Sequence, residues 1–321
     1  MSSIKLNPRK CAIIGCGNVG ATIAYTYTQS GLFSDIVLID KDEKRAIGEA
    51  MDLSHGLPFL SPVNIKAGDY KDLADASLIV IAAGVAQKEG QTRLQLLSAN
   101  MRVFSSIVSQ ITRYNNDAII LVVTNPVDIL TYYTLKISGY PSHRVIGSGT
   151  VLDTARLKQL MGDYLSVDSR NVHTFIIGEQ GDSELPVWSG ANISGINLTD
   201  YFKVCDTCHD LSCLDRMFEN VRDAAYKIIE GKGATYYAIA QAVLRITQSI
   251  MRDENAVLTI STLVDGHYGI SDVCLGVPTV VGKEGVRQVL DIPLSDKELS
   301  ALRQSASTLR YEIDQCMNSY V

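Results

Sequence analysis

The stretch Gly178-Glu179-Gln180-Gly181-Asp182 crowds two carboxyls and an amide around two glycines, directly after the apolar pair Ile176-Ile177. A polar knot where a predicted strand ends is a natural rim for a site. The amide in its middle is the informative residue: glutamine can hold a substrate through hydrogen bonds, but it does not titrate and cannot exchange a proton with it. Just upstream, Asp153 and Arg156 stand three apart in a segment, 147–165, that reads as a helix, so they share one face. The ordinary reading of such a pair is a solvated ion pair. Here the flanking residues are mostly apolar, which favours burial. A buried arginine is a bidentate clamp for a small carboxylate, and a buried aspartate beside it orients a catalytic base.

The elements that would position these groups begin near the N-terminus. Residues 10–14 form a short apolar run, followed at once by GCGNVG (15–20) and by a helix-like segment ending at Gly31. In a strand–turn–helix unit of this kind Gly15 allows the tight turn, Gly17 lets backbone approach a pyrophosphate, and Gly20 lets helix pack closely on strand. The next apolar run, 35–39, ends on Asp40, whose carboxylate suits a ribose 2′-hydroxyl and repels a 2′-phosphate, so the expected dinucleotide is NAD and not NADP. Apolar runs at 63–67, 77–83 and 118–123 continue the rhythm, which predicts a doubly wound parallel sheet with functional residues at the C-terminal strand ends. Two stretches lie there, AGVAQKEGQTR and TNPVD. In the second, the Asn125-Pro126 bond is a place for a cis peptide that turns Asn125 toward the cleft.

Composition narrows the rest. The chain has 321 residues, 46% hydrophobic, and a net charge of −6 with no basic run, which argues against nucleic acid as a partner. No apolar segment approaches the roughly 18 to 20 residues of a membrane span and the N-terminus lacks a signal-peptide apolar core, so a cytoplasmic protein with no membrane partner is expected. Seven cysteines, an odd number, are scattered along the chain. Cys205-x-x-Cys208-His209 has the look of a metal or haem motif, but no second pair completes it, and free thiols with no metal are the preferred reading.

In order along the chain, GCGNVG, AGVAQKEGQTRLQLL, VVTNPVDIL, GSGTVLDTARL, NVHTFIIGEQGDSELPVWS and GKGATYYAIA resemble the bacterial-type L-lactate dehydrogenases of the lactate and malate dehydrogenase superfamily, and the match covers nearly the whole chain. The resemblance implies an N-terminal Rossmann domain over 1–147 that binds NAD and a C-terminal α+β substrate domain over 148–321. It implies reversible hydride transfer between NADH and pyruvate, or NAD and L-lactate, in fermentative glycolysis. Arg156 would bind the substrate carboxylate, Arg93 on a closing lid would polarise the carbonyl, Asn125 would bond near the same oxygen, and Asp153 would orient the catalytic residue. Thr235 would line the substrate pocket, with Val123 and Ile239 against the cofactor. Gln87 carries substrate choice: malate dehydrogenases place an arginine there for a second carboxylate, so a neutral amide favours pyruvate.

One residue departs from the family pattern at the centre of its chemistry. The family motif is Gly-Glu-His-Gly-Asp, and Gln180 occupies the place of the proton-transferring histidine, so strongly impaired turnover is expected. His173 is no substitute, because seven residues of extended strand span about 23 Å and the odd offset faces it the other way. Two other readings stay open: a catalytically silent binding protein for NAD and 2-oxo acids, and a related 2-hydroxy-acid dehydrogenase. Glu89 and Gln91 also depart from common lid residues. In members activated by fructose 1,6-bisphosphate the positions of Lys158 and His173 bind that effector between subunits; a plain surface lysine and strand histidine is an equally good reading here. Only about eight residues precede the first predicted strand, shorter than the arm vertebrate members use in assembly, and a homotetramer is the family expectation.

Overall fold

A computed structural model describes residues 5–85, 93–205 and 212–318, without the side chains of 93, 94 and 318. Gln87, Glu89, Gln91, the Arg93 side chain, Cys208 and His209 lie outside the described residues.

Six strands, β1 (Asn7–Ile14), β2 (Asp35–Ile39), β3 (Asn64–Ala67), β4 (Ala76–Ile81), β5 (Ile119–Val122) and β6 (Val145–Gly147), pair in parallel in the spatial order β3-β2-β1-β4-β5-β6. The order reverses between β1 and β4, and a crevice opens at that point beyond the carboxyl ends of the strands. Their run-like apolar sequences follow from burial on both faces. Ala12, Ile14, Ile79 and Ile81 face one core, while Cys11, Ile13, Leu78 and Val80 face the other. The first core is closed by α3 (Arg93–Tyr114) and α4 (Val127–Ser138), and the second by α1 (Asn18–Ser30), with α2 (Glu43–His55) at its margin. The doubly wound sheet expected from the sequence is present.

The second half of the chain supplies α5 (Val151–Leu165), the short strands β7 (Val172–His173), β8 (Ile176–Ile177) and β9 (Leu185–Pro186), and helices α6 (Leu198–Val204), α7 (Cys213–Lys232), α8 (Tyr237–Met251) and α9 (Asp296–Asn318). It does not stand apart from the sheet. Strand Ser261–Val264 pairs antiparallel with β6 through Ser261 and Gly147, and strand Val273–Gly276 pairs antiparallel with Ser261–Val264, giving eight strands in all among the described residues. Helix α8 covers α1, where the Tyr27 and Thr247 hydroxyls meet at 2.5 Å in the buried seam, and α9 helps close the opposite face.

Two sequence expectations need correction. The helix drawn from residue 147 begins at Val151, because Gly147 completes β6 and Thr150, at the N-cap position, turns its hydroxyl to the Ile176 carbonyl. The stretch from His173 to Gln180 is not one extended strand. It breaks after His173, resumes for Ile176–Ile177 and turns at Gly178, so the separation of His173 from Gln180 rests on this break and not on strand alternation. His173 lines a different cavity.

Candidate active site

The glycine loop packs as its residue types require. Gly15 has φ +101°, and a Cβ there would lie 2.4 Å from the Ala83 nitrogen; a Cβ on Gly20 would lie 1.8 Å from the Gly15 carbonyl oxygen. Neither position has room for a side chain. Gly17 differs: nothing lies within 4 Å of where its Cβ would be, so the loop is open on the side a pyrophosphate would approach, at the N-terminus of α1. Asp40 stands at the end of β2, accepting a 2.6 Å hydrogen bond from the Cys16 backbone N–H with one oxygen and one from Asp42 N–H with the other. These residues fit a dinucleotide. Val123, nearly buried at the end of β5, and the half-buried Ile239 on α8 pack on the same apolar cluster as α1, on that side of the sheet.

A cleft of about 430 Å³ has walls that bring together Asn125, Asp153, Arg156, Gln180, Glu184 and Arg222. Four of these were named from the sequence. Asn125 precedes the Asn125-Pro126 bond, which is cis, and its carbonyl accepts from the buried Asn100 side chain, whose oxygen in turn accepts from Val85 N–H. Asp153 and Arg156 project from the first turns of α5 as expected, with Arg156 Nη1 donating to Asp153 Oδ1 at 2.7 Å and side chains only 4% and 14% exposed. Asp153 Oδ2 has no hydrogen-bonding partner among the described residues and the Gln180 side chain lies against this carboxyl. Burial pushes the Asp153 pKa up, although Arg156 pulls against it.

The loop that carries Gln180 is fastened residue by residue. Ile176 N–H donates to Thr154 Oγ1 on α5, Gly178 exchanges backbone hydrogen bonds with Gly276, Glu179 N–H donates to Ser305 Oγ on α9, and Gln180 N–H donates to Asp128 Oδ2 on α4 at 2.7 Å. Two acids in this setting went unrecognised in the sequence. Asp128 is 1% exposed, and burial moves its carboxyl from the usual range up to about 7 despite the stabilising hydrogen bond from Gln180 N–H. Glu184, 6% exposed, is pushed up to about 9, first by burial and then by the charge of Asp153. Both stood inside quoted motifs, TNPVD and GEQGDSE, and the mark they carried was an acid flanked by apolar or motif residues.

The remaining expectations fall elsewhere. Thr235, half-buried in the link between α7 and α8, does not line this cleft. Lys158 is half-buried on the far part of α5, where burial lowers its pKa, and His173 is exposed at the end of β7. Among the described residues no cluster of three metal-ligating side chains occurs and no helix is long and apolar enough to cross a membrane; Cys11, Cys16, Cys205, Cys213, Cys274 and Cys316 are free thiols.

A doubly wound sheet with an open glycine loop, joined to a cleft that holds a buried Asp–Arg pair, suits a dinucleotide-dependent dehydrogenase of small acids, and the comparisons agree. Residues 9–147 match the NAD-binding domain of the lactate/malate dehydrogenase family and residues 150–319 match its alpha/beta C-terminal domain. The chain belongs to that family, and its cofactor is NAD. It is 53% identical to an L-lactate dehydrogenase of Acetivibrio thermocellus, covering 94% of this chain and 95% of that one. It is 52% identical to an L-lactate dehydrogenase of Thermoanaerobacterium saccharolyticum, covering 95% and 98%. Among solved structures, a lactate dehydrogenase from a deep-sea metagenome library superposes with a TM-score of 0.94 at 45% identity, covering 98% of this chain and 100% of the other. The minor L-lactate dehydrogenase of Enterococcus mundtii gives 0.93 at 40%, covering 96% and 98%.

Proposed function

We propose that the chain has the binding apparatus of an NAD-dependent L-lactate dehydrogenase acting on pyruvate and L-lactate, with its proton-transfer position filled by Gln180. The observation that carries this reading is the cleft itself, in which Arg156, Asn125, Asp153 and Gln180 converge. The dinucleotide, when bound, supplies or accepts the hydride. Arg156 has Nη2 and Nε beyond its bond to Asp153 with which to hold a substrate carboxylate, and Asn125 faces the reacting oxygen. Gln180 can donate an amide hydrogen to that oxygen, which polarises a carbonyl without protonating it. The buried Asp153 holds Arg156 and the Gln180 amide in place. Arg93 on the lid completes the substrate site in this reading, and Gln87 leaves it suited to an uncharged substrate side chain.

The division into an NAD-binding half, 1–147, and a substrate half, 148–321, assembly as a homotetramer and a cytoplasmic location belong to the same proposal. So does an effector site for fructose 1,6-bisphosphate at Lys158 and His173, tested by the pyruvate response with and without the bisphosphate. The reading is tested by comparing NADH binding and NADH oxidation by pyruvate in this chain and in Gln180→His. Cofactor affinity is expected to be equal, and turnover to rise by roughly 10² to 10⁴, the usual contribution of general acid–base catalysis; equal turnover would sink the assignment of position 180. Gln87→Arg is expected to shift preference from pyruvate toward oxaloacetate, read as the ratio of the two kcat/KM values.

A second reading is favoured by one observation, the absence of a titrating group at 180: a silent protein that binds NAD and a 2-oxo acid. Turnover too slow to measure in the presence of tight binding of both ligands would establish it.

A further inference from the structure

Four residues past Gln180, Glu184 enters the cleft wall from the turn that follows Gly181. The residue is more than nine-tenths buried, and its Oε1 has no hydrogen-bonding partner among the described residues. A carboxylate oxygen left bare in a low-dielectric wall is expensive, so such a group keeps its proton. The charged groups facing it are Asp153 and Arg156 from α5, Arg222 from α7 and Glu179 from its own loop. Two carboxyls and two guanidiniums oppose one another, burial decides the balance, and the group titrates at about 9.

The neighbouring acids are committed elsewhere. Asp128 faces the back of the loop, bound to the Gln180 N–H, and does not line the cleft. Asp153 is bound to Arg156. His173 lines another cavity. Asp182, also in the cleft wall, is exposed. Glu184 is therefore the buried acid of the cleft wall that is not committed to the Asp153–Arg156 pair.

We propose that Glu184 supplies the proton that Gln180 cannot, protonating the carbonyl oxygen of a 2-oxo acid held in this cleft. The inference rests on the reading of the cleft given above. As a hydride arrives at the carbonyl carbon, the π pair of the C=O bond moves onto oxygen, and that oxygen takes its proton from the Glu184 O–H. The product is the 2-hydroxy acid, and Glu184 is left as a carboxylate facing Arg156 and Arg222. Water returns the proton before the next cycle. In the opposite direction the carboxylate accepts the hydroxyl proton as the hydride departs.

The test uses Glu184→Gln, which keeps the shape and removes the proton. NADH binding and binding of oxamate, a 2-oxo-acid mimic that is not reduced, are measured first in both proteins, followed by single-turnover NADH oxidation with pyruvate. The infrared carbonyl band of a protonated carboxyl is recorded against pH as a readout independent of turnover. The expected result is binding within about twofold, a loss of turnover of roughly 10² to 10⁴, and a band that titrates near pH 9 and is absent from Glu184→Gln. The same substitution made on top of Gln180→His is expected to cost at least tenfold less, since the imidazole then carries the proton. Unchanged turnover in Glu184→Gln, a parent that binds both ligands but shows no turnover, or no such band at neutral pH would each overturn the proposal. A parent that fails to bind oxamate would overturn the 2-oxo-acid reading as well.

Discussion

Two glycine-bearing loops, residues 15–20 and residues 178–184, are built on opposite principles. The first is a matter of shape. Gly15 and Gly20 are squeezed against backbone, and a single carboxylate, Asp40, ties the loop to β2. The second is a matter of charge and protons, with four buried carboxyls (Asp128, Asp153, Glu179 and Glu184) gathered around it and two arginines in the same cleft. The cofactor side should accordingly be sensitive to volume and indifferent to pH, and the substrate side the reverse.

The largest effect is expected at Gly20→Ala. Its methyl would fall 1.8 Å from the Gly15 carbonyl oxygen, so the turn must rebuild, at a cost of about 3 kcal/mol or more by analogy with severe overpacking. Gly17→Ala places its methyl in open space and should leave the fold intact while weakening NADH. Thermal melting together with NADH titration separates the two, and equal destabilisation would erase the contrast between steric and ligand-facing glycines.

A smaller effect, specific to the second loop, follows from Asp128. Its carboxyl is raised from 3.8 to about 7 in the fold, so the folded state binds the proton more tightly than the unfolded chain. The stability this contributes is full below about pH 4 and is lost as pH rises through 7. Asp128→Asn should reduce the fall of the urea midpoint between pH 5 and 8, removing about 3 kcal/mol of pH-dependent stability over that window. The slope that remains, running from about pH 4.5 up through 9, belongs to Glu184, whose carboxyl is raised from 4.5 to about 9. An unchanged slope would show that Asp128 is ionised in the fold.

The smallest concerns the seam where the two halves meet. Tyr27→Phe removes the buried hydroxyl contact between α1 and α8 and leaves Thr247 to find another partner, an expected loss of about 1 kcal/mol without effect on pH dependence. A loss confined to NADH affinity, with stability intact, would instead place this seam in the cofactor site.

The same contrast explains what could be read from the chain alone. The glycine loop, Asp40, the parallel strands and the Asp153–Arg156 pair were legible because each is a local pattern: a spacing, a period or an i,i+3 relation. The strands Ser261–Val264 and Val273–Gly276 were not, because their place at the sheet edge is set by the pairing of Ser261 with Gly147, more than a hundred residues away, which leaves no local mark. Glu184 was missed for a different reason. In Gly-Asp-Ser-Glu it reads as a solvated turn, and only the walls formed by α5 and α7 make it a buried acid. The break between His173 and Ile176 was hidden likewise, since β7 pairs with Asn192–Ile193 and β8 with β9, two sheets that no periodicity distinguishes.

The fastening of residues 176–180 has a consequence of its own. Backbone N–H and C=O groups tie this segment to the surrounding frame, reaching Thr150, Thr154, Gly276, Ser305 and Asp128, while the amide at 180 turns to Asp153 in the cleft. The position is a socket: its coordinates are set by the frame, and whatever side chain is plugged into it faces the cleft from the same place. A histidine and a glutamine can therefore be exchanged there without redesign of the surroundings, and reactivity becomes an interchangeable part mounted on a permanent binding scaffold.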